Sequence, residues 1–257
     1  MLSGALPGGL LPDWAGRLPG MPPDWSTDGF EIDRLLVLVH LLMLALLVGW
    51  LAYFCVVLWR FRAGRRSAAV IAPPRGHLAL GVAFLVFLCE LGLMVLVEIP
   101  VWARRVAPPP DDAFVVRVVA EQFAWNFHYP GLDGEFGPTA IDRIDSFNPI
   151  GLDFDHPAAA DDLFTINELQ VPSGRTIRLV LTAKDVIHGF YLPYYRVRQD
   201  ILPGQRIEVT VRPAREGRSE IGCAQLCGLG HYRMKGWFTV SSPEEFAAWY
   251  EDEQAYM

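Results

Sequence analysis

The sequence predicts an α+β membrane protein, in which a helical hairpin crosses a bilayer and an all-β domain follows it. Three observations carry that expectation. Two unbroken apolar runs, residues 35–59 and 78–97, each reach the roughly 20 residues needed to span a hydrocarbon core of about 30 Å. Only one charge, Glu90, falls inside them. Beyond Pro108-Pro109-Pro110 the pattern changes to short, β-branched and alternating segments divided by turn residues, the signature of strands rather than helices. The expected divisions are an N-terminal segment over 1–30, the hairpin over 31–106 and the β domain over 107–257.

Orientation follows from the short connection between the two runs. It carries Arg60, Arg62, Arg65, Arg66 and Arg75 and no acidic residue, so it is expected on the cytoplasmic side. Arg104 and Arg105, just past the second run, oppose this by a smaller number. Both ends of the chain are then extracytoplasmic, as in a bacterial-type inner membrane. From residue 111 onward there are 22 acidic against 13 Lys and Arg residues, so the exported part is more acidic than the chain total of −7 implies. Such a surface steers basic partners and also serves solubility; nothing in it suggests nucleic acid. Residues 1–30 are rich in Gly, Pro and Trp and lack the basic n-region and apolar h-region of a signal peptide. They are expected to be an extended extracellular segment, with the first membrane helix directing export.

Within the first helix His40 is expected to be neutral and hydrogen-bonded, and Trp50, Tyr53 and Trp59 to form an interfacial belt. Glu90 in the second helix is costly in hydrocarbon and should face protein or water. Glu98 and Trp102 fall at the outer interface. Cys55 and Cys89 lie within the apolar runs and are read as small buried hydrophobes.

The proline run is a stiff linker. After it come expected strands over 114–119 and 122–129, the second placing Phe123, Trp125, Phe127 and Tyr129 on one face. Residues 130–162 form a long Gly-, Pro- and Asp-rich loop, either part of a docking face or a lid on the domain. Strands resume over 163–170, 176–182, 190–195, 206–212 and 236–241, and an acidic helix from Pro243 ends the chain. Seven or so short strands argue for a sandwich or barrel.

The densest chemistry lies in Cys223-Ala-Gln-Leu-Cys227-Gly-Leu-Gly-His231-Tyr-Arg-Met234, with His188 upstream. Thiolates, imidazoles and a thioether form the soft donor set that selects copper, and two nearby thiolates can bridge two ions. A disulfide, a structural zinc site and one face of a helix are the competing readings. Gly228 and Gly230 disfavour the helix, while Met234 and His188 add donors that neither a disulfide nor zinc requires. No Cys-x-x-Cys-His is present, so no c-type haem is attached.

Cys-x-x-x-Cys-x-x-x-His-x-x-Met, preceded by Asp185-Val-Ile-His188, resembles the CuA motif of cytochrome c oxidase subunit II. The resemblance runs from the first membrane helix to about residue 240. It implies a cupredoxin-like Greek-key domain whose ligand loop joins the last two strands. By the family pattern His188 and His231 each bind one copper, Cys223 and Cys227 bridge both, Met234 is a weak ligand, and Gln225 offers its backbone carbonyl. It also implies electron transfer from cytochrome c or a similar carrier to haem in subunit I, where oxygen is reduced and protons are pumped.

Several positions depart from the family. Gln225 replaces the usual Glu, whose carboxylate reaches a magnesium ion at the subunit I interface; an amide is the poorer magnesium ligand. Phe123 occupies the place of the Trp that accepts electrons from cytochrome c, so Phe123 and Trp125 are the two acceptance candidates, with ordinary core packing the competing reading of Trp125. Glu90 lacks the setting of the family's proton-path carboxylate. Arg196 and Arg198 resemble the basic pair near the haem propionates, and Asp185 and Asp200 are candidates to orient the imidazoles. Other oxidase subunits and membrane lipid are the remaining expected partners. The rivals are nitrous oxide reductase, which needs more than the six histidines present, a copper-free quinol oxidase subunit, and a membrane-anchored copper chaperone.

Overall fold

The computed structural model describes residues 19–62, 76–131 and 133–255. The first 18 residues, and Arg65, Arg66, Arg75 and the Pro73-Pro74 turn, lie outside the described residues. Helix α1 spans Gly29–Phe61; α2 spans Gly76–Leu93 and runs through a π-helical turn, Met94–Glu98, into α3, Ile99–Arg105. The widened turn sits directly before Pro100, which donates no N–H and whose ring crowds the carbonyl four residues back. The 33 residues of α1 make about 50 Å of helix, more than a bilayer's apolar thickness. Their apolar side chains, such as Leu41, Leu44, Trp50, Leu80 and Phe84, are exposed, as a lipid-covered surface requires. Together with the family match given below, these two helices make this a membrane-anchored protein.

The polar groups of the helical unit are accounted for locally. His40 Nδ1 lies 2.7 Å from the Leu36 carbonyl of its own helix. Glu90 is exposed and lines a groove of about 420 Å³ with Val39, Met43, Phe87, Met94 and Glu98. Arg104 and Glu31 pair at 3.0 Å.

The β unit takes in Pro22–Gly29 as well as residues 106–257. Its strands are β1 Phe114–Glu121, β2 Ala124–Tyr129, β3 Leu163–Ile166, β4 Glu168–Pro172, β5 Ile177–Ala183, β6 His188–Leu192, β7 Val197–Ile201, β8 Ile207–Val211, β9 Gly217–Cys223 and β10 Lys235–Ser241, followed by α4, Pro243–Gln254. They form two five-stranded sheets, β3-β2-β1-β5-β8 and β4-β10-β9-β6-β7. The inward faces supply the core: Val116, Val118, Trp125, Phe127, Leu179, Leu181, Phe190, Ile221 and Phe238 among others. This is the cupredoxin-like sandwich expected from the sequence.

Three details differ from the expected strands. The segment 163–170 is two strands in two sheets, because Asn167 turns into the left-handed region at φ 61°. Asparagine tolerates that conformation, and here its Oδ1 also accepts from Trp125 N–H at 2.9 Å. β7 and β9 were not expected, since the charges of Val197–Ile201 and Gly217–Cys223 mask their alternation. β2 is buried on both faces, because residues 130–162 lie over its outer side.

That long loop is a lid. Ile150, Leu152 and Ala159 form a second small core with Val119 and Phe164. Asn148 fixes the turn by hydrogen bonds of 2.9 Å in both directions with Leu152. Beneath the lid His128 Nε2 meets Asp162 Oδ2 at 2.6 Å, and the same carboxylate accepts from Gly131 N–H at 3.0 Å and Gly137 N–H at 2.7 Å. α4, capped by reciprocal Ser242 and Glu245 hydrogen bonds, holds the lid's end through Tyr250 and the carbonyls of Pro130 and Asp161.

The segment expected to be extended and free is docked where it is described. Trp25 N–H donates to Tyr194 at 2.8 Å, Thr27 N–H to Arg212 at 3.0 Å, and Ala214 N–H returns to Trp25 at 2.8 Å. The Trp25 ring stands edge-on to Tyr194 at 4.8 Å, with the Arg215 guanidinium 4.5 Å from its centre. Arg196 donates to the Pro22 carbonyl at 2.8 Å and to Pro193 at 2.8 Å.

Two outcomes follow. Asp162→Ala leaves three buried donors without their acceptor, and chemical denaturation of the full chain should show a loss of roughly 3–5 kcal/mol from the β domain. Trp25→Ala removes the strap's anchor and should cost roughly 1–3 kcal/mol by the same measurement, with a smaller shift for a change at exposed Glu244.

Candidate metal centre

The site is built where β6 and β9 run side by side. Phe190 pairs with Cys223 and Tyr191 with Gly222, which brings His188, at the start of β6, beside the end of β9. Gly189 allows the approach: a Cβ there would lie 2.8 Å from Gln225 N and 2.9 Å from the Ala224 carbonyl carbon. Ala224 N–H donates to the Gly189 carbonyl at 2.8 Å. The connection from β9 to β10 is closed by Cys223 N–H to the Met234 carbonyl at 3.2 Å, and a tight turn over His231–Arg233 returns His231 and Met234 to the cysteines.

All the expected side chains meet. The Cys223 and Cys227 sulfurs lie 3.9 Å apart, far beyond the roughly 2.05 Å of a bonded pair, and both are free thiols. His231 Nδ1 and Met234 Sδ each lie 3.7 Å from Cys227 Sγ. The Gln225 carbonyl oxygen is 3.2 Å from Cys223 Sγ. His188 and the two cysteines offer donor atoms within 4.8 Å of one another. His188, Cys227 and Met234 are buried, while Leu226, Leu229 and Tyr232 on the same loop are almost fully exposed.

His188 shows the fit to a metal most directly. Its Nε2 is held by Asp185 Oδ1 at 2.8 Å, whereas its Nδ1 is buried without a hydrogen-bond partner. A buried polar nitrogen left unsatisfied is costly unless a metal ion binds it. An imidazole with one nitrogen tied to a carboxylate and the other free is the arrangement found at metal sites. Two thiols, two imidazoles and a thioether suit a soft, borderline ion such as copper.

Electrostatics divide the two thiols. Burial alone would raise Cys223, but the neighbouring His188 ring, the amides of Gly189 and Gln225 and the His231 ring outweigh it and bring Cys223 down to about 6. Burial raises Cys227, and charge on Cys223 adds to this, taking it up to about 11. Burial opposes protonation of His188, yet Cys223 and Asp185 raise it above its ordinary value. Burial likewise opposes charge on Asp185, but His188 and the amides of Gln122 and Val186 lower it.

The acceptance candidates separate. Trp125 is fully buried, 6.2 Å from the His188 ring and 5.3 Å from Phe190 between centroids. Another protein has no surface of it to touch, so of the two readings of Trp125 core packing stands and the surface acceptance point is removed. Phe123 is partly exposed and covers the ligand loop's backbone: a Cβ at Gly230 would fall 2.4 Å from its ring. Arg196 is engaged by the strap carbonyls, while Arg198 donates to the Ala224 carbonyl at 3.2 Å and stands 3.5 Å from Asp200. Gln122, absent from the expected site residues, donates from Nε2 to the Cys227 carbonyl at 2.6 Å. No residue pattern announces such a contact.

A cupredoxin-like sandwich thus gathers a Cys-Cys-His-Met cluster from its last hairpin and His188 from β6 into a donor set able to hold a metal ion. Residues 114–238, just under half of the chain, match the family described as cytochrome c oxidase subunit II, periplasmic domain. The chain is similar to the alternative cytochrome c oxidase subunit 2 of Bradyrhizobium diazoefficiens, 35% identical over 61% of this chain and 56% of that protein. It is also similar to cytochrome c oxidase subunit 2 of Cereibacter sphaeroides, 28% identical over 90% of this chain and 79% of that one. A crystal structure of the periplasmic domain of subunit II of cytochrome oxidase from Bradyrhizobium japonicum aligns at 29% identity, over 58% of this chain and 99% of that chain, with TM-score 0.43. The chain spans about half the length of the first curated relatives, 56%, 46% and 49%.

The thiol assignment predicts a pH profile for the metal-free chain. At pH 7 Cys223, lying above its shifted value, is mostly thiolate and should be alkylated first, with a half-maximal rate near pH 6 by peptide mass spectrometry. Cys227 should resist until well above neutral pH. Because Cys223 falls from its ordinary 9.0, its contribution to stability is present above that value and lost as pH falls through about 6.

Proposed function

We propose that this chain is the electron-accepting subunit of a haem–copper cytochrome c oxidase, with a dinuclear CuA centre held by His188, Cys223, Gln225, Cys227, His231 and Met234. The observation that carries the reading is the convergence of both sulfurs, the orphaned His188 Nδ1 and the Met234 thioether at one buried point. When bound, the copper pair supplies a one-electron carrier shared between two ions.

This chain's residues do the rest. Cys223 and Cys227 offer two sulfurs with low competition from protons on at least one of them. Asp185 fixes the His188 ring so that Nδ1 faces the sulfurs. Gln225 presents a main-chain oxygen that does not depend on its side chain. The sandwich walls, with Trp125 and Phe190 against His188, keep water from one side and leave little room for the donors to move, which favours fast electron transfer.

In the same reading electrons come from cytochrome c or a similar carrier, attracted by the acidic domain, with Phe123 at the acceptance point. They pass to haem in subunit I, where oxygen reduction is coupled to proton pumping. The β domain faces the extracytoplasmic side of a bacterial-type inner membrane, and Arg60 and Arg62 end α1 on the cytoplasmic side. Magnesium at the subunit I interface would meet the Gln225 amide rather than a carboxylate.

The test is metal stoichiometry and spectrum. The purified full chain should take up two coppers and give a mixed-valence paramagnetic signal spread over two nuclei. His188→Ala should abolish the delocalised signal. One copper per chain, a signal confined to one nucleus, or zinc in its place would remove the electron-transfer reading and favour a binding protein.

A further inference from the structure

Leu226 and Leu229 of the ligand loop point outward, while Cys227 and Met234 are buried. Leu226 is 79% and Leu229 97% exposed, so packing of these residues does not hold the loop against the sandwich. The turn between β1 and β2 supplies an attachment instead. Gln122 Nε2 donates to the Cys227 carbonyl at 2.6 Å, and the Gln122 backbone N–H donates to Asp185 Oδ2 at 2.7 Å. The other oxygen of that carboxylate holds His188 Nε2 at 2.8 Å. One residue therefore touches both halves of the donor set, which come from different strands.

The loop is shaped to receive this residue. Gly228 has φ 134°, and a Cβ on it would lie 2.7 Å from Gln122 Nε2 and 3.2 Å from the Phe123 ring. The backbone conformation requires glycine there, and a side chain would push the Gln122 amide from its place. The amide is thus seated on the loop's main chain, under the edge of a partly buried aromatic ring.

We propose that Gln122 is a positioning residue of the metal centre. Its side-chain amide fixes the Cys227 carbonyl, its backbone amide fixes Asp185, and together they set the separation of the Cys227 sulfur from His188. This rests on the copper reading for its purpose, but the clamp itself is a property of the metal-free chain. A hydrogen bond to a backbone carbonyl orients the peptide plane and hence the Cα–Cβ direction of Cys227. Without it the loop keeps its chemistry and loses its register.

The experiment uses the full chain and two variants, Gln122→Met, which keeps length without a donor, and Gln122→Glu, which keeps shape but carries no N–H at neutral pH. In the metal-free protein, peptide-resolved alkylation should speed at Cys227 by about tenfold, the equivalent of about 1.4 kcal/mol. Cys223 should keep its wild-type rate, and the unfolding midpoint should not move. After copper loading, both variants should bind as many ions as wild type and release them to a chelator about tenfold faster. Cys227 labelling at the wild-type rate overturns the proposal. So does equal acceleration at both cysteines with a lowered midpoint, which is general loosening. If wild type fails to take up two coppers, the copper reading falls while the alkylation rates still decide whether the clamp exists.

Discussion

Everything at the metal centre depends on one close backbone contact, the approach of the ligand loop to β6 at Gly189. Ala224 N–H reaches the Gly189 carbonyl at 2.8 Å because no side chain stands between them. His188 is thereby carried to within reach of sulfurs 35 and 39 positions later in sequence. A sandwich achieves this economically: hydrogen-bonded strands fix neighbours to a few tenths of an ångström, and side chains at a strand end inherit that precision. The donor set then needs only a short hairpin, β9 to β10, to bring Cys227, His231 and Met234 back to the same point.

The same geometry explains the split between the thiols. Cys223 lies at the end of a strand where amides and imidazoles can reach it, and Cys227 is buried deeper in the loop. Two sulfurs 3.9 Å apart cannot both ionise cheaply in a dry place, because like charges at that distance repel strongly at low dielectric. A cation held by Cys223, Cys227 and His188 would remove that conflict. The metal-free protein is in this sense a site with its charges unsettled, and the structure around it is already formed.

Much of this was legible in the sequence, and for a physical reason. The ligand loop is local: its spacing is its geometry, so Cys223, Cys227, His231 and Met234 could be read together. The helices were legible because a bilayer demands length and uniform apolarity. What failed was the non-local part. Asn167 interrupts an apolar run by a backbone turn, not by a polar pattern, and β7 and β9 carry charges where an exposed strand face tolerates them. Trp125 was legible as one member of an alternating aromatic face, but the lid that buries the opposite face of β2 comes from residues 130–162, which have no period. Gln122 and Asp185 are adjacent only in space, and no spacing rule connects them.

The strap raises a point about what constitutes the domain. Pro22–Gly29 precedes α1 in sequence yet belongs to the β unit, where its backbone extends the hydrogen bonding beyond β8 and Trp25 lies against Tyr194 and Gly217. The turn it covers, Pro193–Tyr195, links β6, which carries His188, to β7. Arg196, in the left-handed conformation at φ 55°, spends its guanidinium on the strap and on this turn. A fragment beginning after the membrane helices would therefore expose Tyr194, leave strap-directed N–H groups to water and remove the Arg196 contact to Pro22. The sandwich core would survive, since its buried residues all lie beyond 113. The support behind β6 would not, so the chain on both sides of the helical pair contributes to the platform on which His188 stands.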